Sequence, residues 1–236
     1  MLHGMERKKY MQRLSVARYG LRLMLKSLHA ILVLPLLLVL GLQEFMPLLA
    51  GTFDLQVFGQ EMLSGFHHIL PDGLDHMAFI LGLFFLSRTL PILLVQSTLF
   101  TLAHSLMLGI VIFTGLAVPT HWVEIAIGLS IALLGLEGLY PTKLESWRPL
   151  MIFLFGCIHG LAFAHSLVQT ENIRRNPLSA LFGFNIGVEI GQLVLIAGLL
   201  LLFSPFWQRS WYHVRICLPA LSLVALSGLH WAWQRW

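Results

Sequence analysis

The chain has 236 residues, 57% of them hydrophobic and only 11% charged, with a formal net charge of +4. A soluble domain carries roughly 25% charged residues, so this composition excludes an ordinary water-soluble fold and indicates a membrane-embedded helical protein. Nor does the positive balance mark a nucleic-acid surface: seven of the fifteen Lys and Arg residues (Arg7, Lys8, Lys9, Arg13, Arg18, Arg22 and Lys26) precede the first apolar run, where they report orientation and lipid contact.

No Ser/Gly-rich or Pro-rich linker divides the chain, so residues 1–27 read as a basic cytoplasmic segment and 28–236 as a single transmembrane domain. Apolar stretches near the ~20 residues that cross a bilayer fall at 28–50, 71–89, 91–114, 121–140, 149–169, 178–203 and 211–233. Turn signals separate them, among them "RTLP", "VPT", "YPTK", "RRNP" and "FSPF". The expectation is an all-α, polytopic bundle of about seven spans in a cell membrane of the bacterial inner type. The first stretch, "AILVLPLLLVLGL", reads as an uncleaved helix rather than a signal peptide, because its basic leader is long and Leu48 to Ala50 make a poor cleavage site. With the N-terminus in the cytoplasm, alternation puts Arg88, Lys143, Arg148 and Arg209 inside. The loops at 51–60 and 115–120, which lack Lys and Arg, then fall outside, and Arg174 and Arg175 break the rule on the outer side.

Ionisable groups interrupt these spans. On the second, "GFHHILPDGLDHMAFILGLFFLS", continuous helical spacing puts His68, Asp72, Asp75 and His76 within one arc of about 100°. Pro71 suits the first helical turn, in which case His68 lies on a short lead-in folded over the helix end, and Gly73 admits another backbone. The third span aligns Ser97, Thr98, Thr101, His104 and Ser105 within about 120°. The fourth aligns Ser130 with Glu137, and the fifth flanks His159 with Gly156, Gly160 and Ala162, which permit tight helix contact. On the sixth, Asn185, Glu189 and Gln192 form one stripe. In the charge-derived orientation, at ~1.5 Å per residue, His76, His104, His159, Asn185 and Glu189 share a band under roughly 10 Å thick between the outer surface and the midplane.

Taken singly, these groups have plain explanations. An intramembrane His or Asn often bridges two helices by a hydrogen bond. Hydroxyls such as those of Ser97, Thr98, Thr101, Ser105 and Ser130 usually bond back to their own helix. His29, His121, His213 and His230 read as interfacial, and Cys157 as small apolar packing. Taken together they need more, because an ionisable side chain at mid-bilayer costs on the order of 3 kcal/mol without a partner or water. Imidazole with carboxylate is a ligand set for Ni, Co and Zn, and Asp72 or Asp75 serves either as a ligand or as the acceptor that fixes a histidine tautomer.

The stretches "GFHHILPDGLDHMAFILGL", "FTLAHSLMLGI", "VEIAIGLSIALLGLEGL", "FGCIHGLAFA" and "FNIGVEIGQL", in this order over Glu61 to Leu202, resemble the HupE/UreJ family of hydrogenase and urease accessory membrane proteins. Gly73, Asp75 and His76 match its His-Pro-x-x-Gly-x-Asp-His pattern, while position 69 is isoleucine, the proline is Pro71 and the nearest histidine is His68. His159, Gly160 and Ala162 match a second pattern, Phe-His-Gly-x-Ala-His-Gly-x-Glu, in which Phe163 and Ala164 stand at its second histidine and glycine. The resemblance implies a nickel or cobalt permease that supplies metalloenzyme assembly.

The resulting expectation is a permease for a divalent transition metal through His76, Asp75, His104, His159 and Glu189, with His68 and Asp72 collecting the ion near the outer mouth. Asn185 and Gln192 would position waters or act as carbonyl-like ligands. Thr101 and Ser105 would line the pathway, Glu137 would form an exit relay, and Gly73 and Gly160 would allow close approach. The alternatives are an intramembrane zinc hydrolase using Ser105 beside the histidines, a bis-histidine haem protein using His76, His104 or His159, and a purely structural bundle.

Overall fold

The computed structural model describes residues 53–87, 89–116, 119–139 and 147–236, and these are helical with no strand among them. In chain order the helices are α1 (Leu55–Ile69), α2 (Leu74–Leu86), α3 (Leu90–Thr114), α4 (Thr120–Leu139), α5 (Arg148–Leu167), the short α6 (Glu171–Arg175), α7 (Pro177–Phe203) and α8 (Leu218–Gln234). A 3₁₀ turn, Ser204–Phe206, follows α7, and a π turn, His213–Cys217, leads into α8. Five of these elements are long and apolar enough to cross a membrane, and α1 with α2, bent by 65° at a short break, makes a sixth if the pair is one span. They correspond to six of the seven expected spans. The stretch at 28–50 and the basic leader lie outside the described residues.

Residues 55–60, expected as part of an outer loop, instead form the first turns of α1. Their polarity conceals a helix: Gln56, Gln60, Leu63, Ser64 and His67 form an exposed face, while Val57, Glu61, Gly65 and Ile69 are buried. Asp54 caps α1, its Oδ1 accepting from the backbone N–H groups of Gln56 at 2.8 Å and Val57 at 3.2 Å. The Asp54 N–H donates to Ser179 Oγ at 2.8 Å, tying the start of α1 to the first turn of α7.

Small residues set the spacing of the bundle. On α7, Gly183, Gly187 and Gly191 lie against Phe58, Met62 and Ile69 of α1, so α1 and α7 run in the same direction with their backbones close. A Cβ on Gly183 or Gly187 would strike the Phe58 or Met62 carbonyl. Between α4 and α8, a Cβ on Gly128 would stand 2.6 Å from Ala232 N, and one on Gly135 2.5 Å from Ala225 N. Gly156 and Gly160 bring α5 equally close to Phe100 and His104 of α3. The outward faces carry Leu102, Phe113, Leu133, Leu154, Val194, Leu201 and Leu223, all exposed, as a lipid-facing surface requires.

Candidate metal centre

The break between α1 and α2 positions the centre. Leu70 to Gly73 interrupt the helix, and Pro71 lies in the gap rather than in a first helical turn. The single arc expected for His68, Asp72, Asp75 and His76 therefore does not form, since it assumed one continuous helix. His68 belongs to the last turn of α1, Asp75 and His76 to the first turn of α2, and Asp72 is exposed on the turn between. The bend nonetheless brings the His68 and His76 rings to 4.6 Å between centroids. Gly73 is required at this corner because a Cβ would strike the His68 carbonyl oxygen.

Two further helices complete the cluster. His104 from α3 and His159 from α5 are buried, with ring centroids 5.8 and 5.0 Å from that of His76. Ligand atoms of His68, His76 and His104 lie within 4.8 Å of one another, and so do those of Asp75, His76 and His159. Ligands about 2.1 Å from one ion are separated by at most about 4.2 Å, so small side-chain adjustments close either group around a metal. His76 belongs to both.

Hydrogen bonding leaves this cluster incomplete. Asp75 Oδ1 accepts the His76 backbone N–H at 2.9 Å and lies 3.1 Å from His76 Nδ1. A proton held there leaves His76 Nε2 with a free lone pair, the arrangement by which a carboxylate orients a metal-binding imidazole. Ser130 Oγ, which donates to the Ile127 carbonyl at 2.7 Å, also lies 3.2 Å from His159 Nε2. His68 Nε2, His76 Nε2, His159 Nδ1 and both ring nitrogens of His104 are buried without a partner among the described residues. Each such group forfeits about 1–3 kcal/mol unless something satisfies it, and Lewis-basic nitrogens pointing inward fit a metal ion. Around them, Phe79 and Phe100 flank His159 with centroids at 5.8 and 5.1 Å, while Phe163 lies 3.9 Å from His68 and stacks on Phe184 at 4.7 Å. These rings form an apolar wall beside the imidazoles.

The remaining expected residues divide. Glu189 joins neither histidine group: its Oε1 accepts from Thr98 Oγ1 at 3.0 Å. Gln192 Oε1 accepts from Ser97 Oγ and, at 3.1 Å, from Thr101 Oγ1. Thr98 and Ser97, expected to bond back to their own helix, thus reach across to α7. Ser105 does bond back, to the Thr101 carbonyl at 2.6 Å, and Asn185 Nδ2 donates to the Leu181 carbonyl at 2.9 Å. Glu137 is engaged by Arg148, whose Nη2 and Nε donate to one carboxylate oxygen at 2.7 and 3.0 Å. Gly160, expected to allow close approach of a neighbouring helix, lies against the backbone of His104.

Sequence reasoning missed Ser130 as a histidine partner, Arg148 as the partner of Glu137, and Glu61, which is buried and accepts from Asn172 Nδ2 at 2.7 Å. It noted Phe163 only as a departure from a pattern. A signal for Glu61 was present in its apolar surroundings on α1, had that stretch been read at helical period.

No curated protein and no solved structure matches the chain. A family model described as "HupE / UreJ protein" matches residues 48–235 and so takes in every helix from α1 to α8. Membership of that family implies a membrane accessory protein for nickel or cobalt handling. With a multi-helix membrane bundle and an interior histidine cluster behind the match, the chain belongs to the HupE/UreJ family.

Proposed function

We propose that this protein is a permease that carries a divalent transition metal, Ni²⁺ or Co²⁺, across the membrane for metalloenzyme assembly. One observation carries the reading: two groups of metal-ligand atoms share His76, and both contain buried ring nitrogens with no hydrogen-bond partner among the described residues. Neutral imidazole with one carboxylate suits borderline divalent ions. A set of so few donors also binds loosely enough to release, as transport demands.

The shared histidine supports a stepwise passage. An ion held by His68, His76 and His104 moves to Asp75, His76 and His159 by exchanging the other ligands while His76 remains bound. No step needs a fully stripped ion in an apolar space, where desolvation would be prohibitive. A hydrolytic role for the same centre draws less support: the Ser105 hydroxyl donates to its own helix rather than toward the imidazoles.

Uptake of labelled Ni²⁺ and Co²⁺ into liposomes tests the proposal. His76→Ala belongs to both groups and should abolish flux at matched protein content, whereas His68→Ala should reduce it in part. Flux through His76→Ala equal to that of the unaltered protein would refute the reading.

A further inference from the structure

The seam between α3 and α7 carries a second polar cluster with a different chemistry. These helices run antiparallel, with Thr98 beside Glu189, the His104 ring 6.4 Å from that of Phe184, and Gly109 facing Leu181. Thr101 precedes His104 by three residues, about 4.5 Å along the helix at ~1.5 Å per residue, so the cluster begins one turn from the imidazoles. Its donor atoms are all oxygens: the hydroxyls of Ser97, Thr98 and Thr101, the Gln192 carbonyl and the Glu189 carboxylate.

One feature separates this cluster from structural glue: among the described residues, Glu189 Oε2 is buried without a hydrogen-bond partner. Among the described residues the carboxylate receives one hydroxyl and no cationic side chain, whereas Glu137 has Arg148. Within a bilayer such a carboxylate is satisfied by a bound cation or by a proton. Carboxylate, hydroxyl and amide oxygens are hard ligands, suited to a cation in a way that complements the neighbouring imidazoles.

We propose that Ser97, Thr98, Thr101, Glu189 and Gln192 form an oxygen-donor cation station, separate from the histidine centre and one helical turn from it. Its purpose rests on the permease reading. The station holds either an alkali cation that moves with the cargo or the cargo itself after it leaves nitrogen, and both sources present the same chemistry to the five residues. Adjacent sites of unequal affinity are what allow an ion to be both captured and passed on.

Equilibrium binding of labelled Ni²⁺ and, separately, labelled Na⁺ to the full chain in lipid nanodiscs tests the station, with Glu189→Gln and Thr98→Val beside the unaltered protein. Thr98→Val keeps side-chain shape and the carboxylate, which guards against a folding artefact in the other variant. Both variants should weaken one label by roughly tenfold or more, leaving the tightest Ni²⁺ binding intact. Loss of Na⁺ binding identifies a coupling cation, and loss of a weaker class of Ni²⁺ identifies the cargo. Binding of both labels to both variants as to the unaltered protein would overturn the station. Failure of the permease reading has another signature, a tight Ni²⁺ class that survives His76→Ala.

Discussion

Gly160 on α5 lies directly against the backbone of His104 on α3: a Cβ at position 160 would stand 2.9 Å from His104 Cα and collide with the adjoining carbonyl oxygen. The register of α5 on α3 is therefore coupled to the placement of the most deeply buried imidazole. Gly160→Ala must push the helices apart, and His104 with them. It should weaken Ni²⁺ binding by about tenfold or more in a calorimetric titration. Gly198→Ala on α7 meets nothing within 4 Å and should bind like the unaltered protein.

His104 itself offers a test that separates function from folding. Its ring is completely buried and neither nitrogen has a partner among the described residues, an arrangement that lowers stability by about 1–3 kcal/mol in the metal-free protein. His104→Leu, similar in volume and without polar atoms, should melt at the same or a higher temperature without metal. Saturating Ni²⁺ should raise the melting temperature of the unaltered protein, since a ligand at a hundred times its Kd contributes about 2.7 kcal/mol. That gain should shrink markedly in His104→Leu.

Arg148 and Glu137 lock the beginning of α5 to the end of α4 through a pair whose side chains are 11% and 1% exposed. Truncating one member leaves the other as a buried, uncompensated charge, at a cost of about 3–5 kcal/mol. Arg148→Ala should therefore lower thermal stability strongly, while Glu137→Gln with Arg148→Met should recover much of the loss. If Arg148→Ala melts like the unaltered protein, the pair does not hold this end of the bundle together.

Phe163 occupies the position at which the second family pattern has a histidine, and its ring centroid lies 3.9 Å from that of His68. Phe163→His would place another imidazole beside the first histidine group. The expected result is tighter Ni²⁺ binding, by roughly tenfold, with slower liposome uptake, because an added ligand must also let go. Unchanged affinity would show that position 163 does not face the ion.

Much of this architecture was legible in the sequence, for reasons specific to each element. Long apolar runs marked α3, α4, α5 and α7 because lipid-facing residues must be hydrophobic whatever the interior contains. His76, His104 and His159 stood out since an imidazole in such a run is rare. α1 was obscured because its exposed face includes Gln56, Gln60, Ser64 and His67, and its support comes from glycines on α7 more than a hundred residues away. The break at Leu70 to Gly73 rearranged the arc on which His68 and Asp72 had been placed. Depth, the stripe shared with Asn185 and Gln192, and the family resemblance all group Glu189 with the histidines, but none of them says which neighbouring helix that stripe faces.

The interrupted span has a mechanical consequence. His68 is borne by one half of a jointed rod and His76 by the other, with Leu70 to Gly73 as the joint. The bend at that joint, 65° between the two halves, therefore helps to set how far apart the two imidazoles stand.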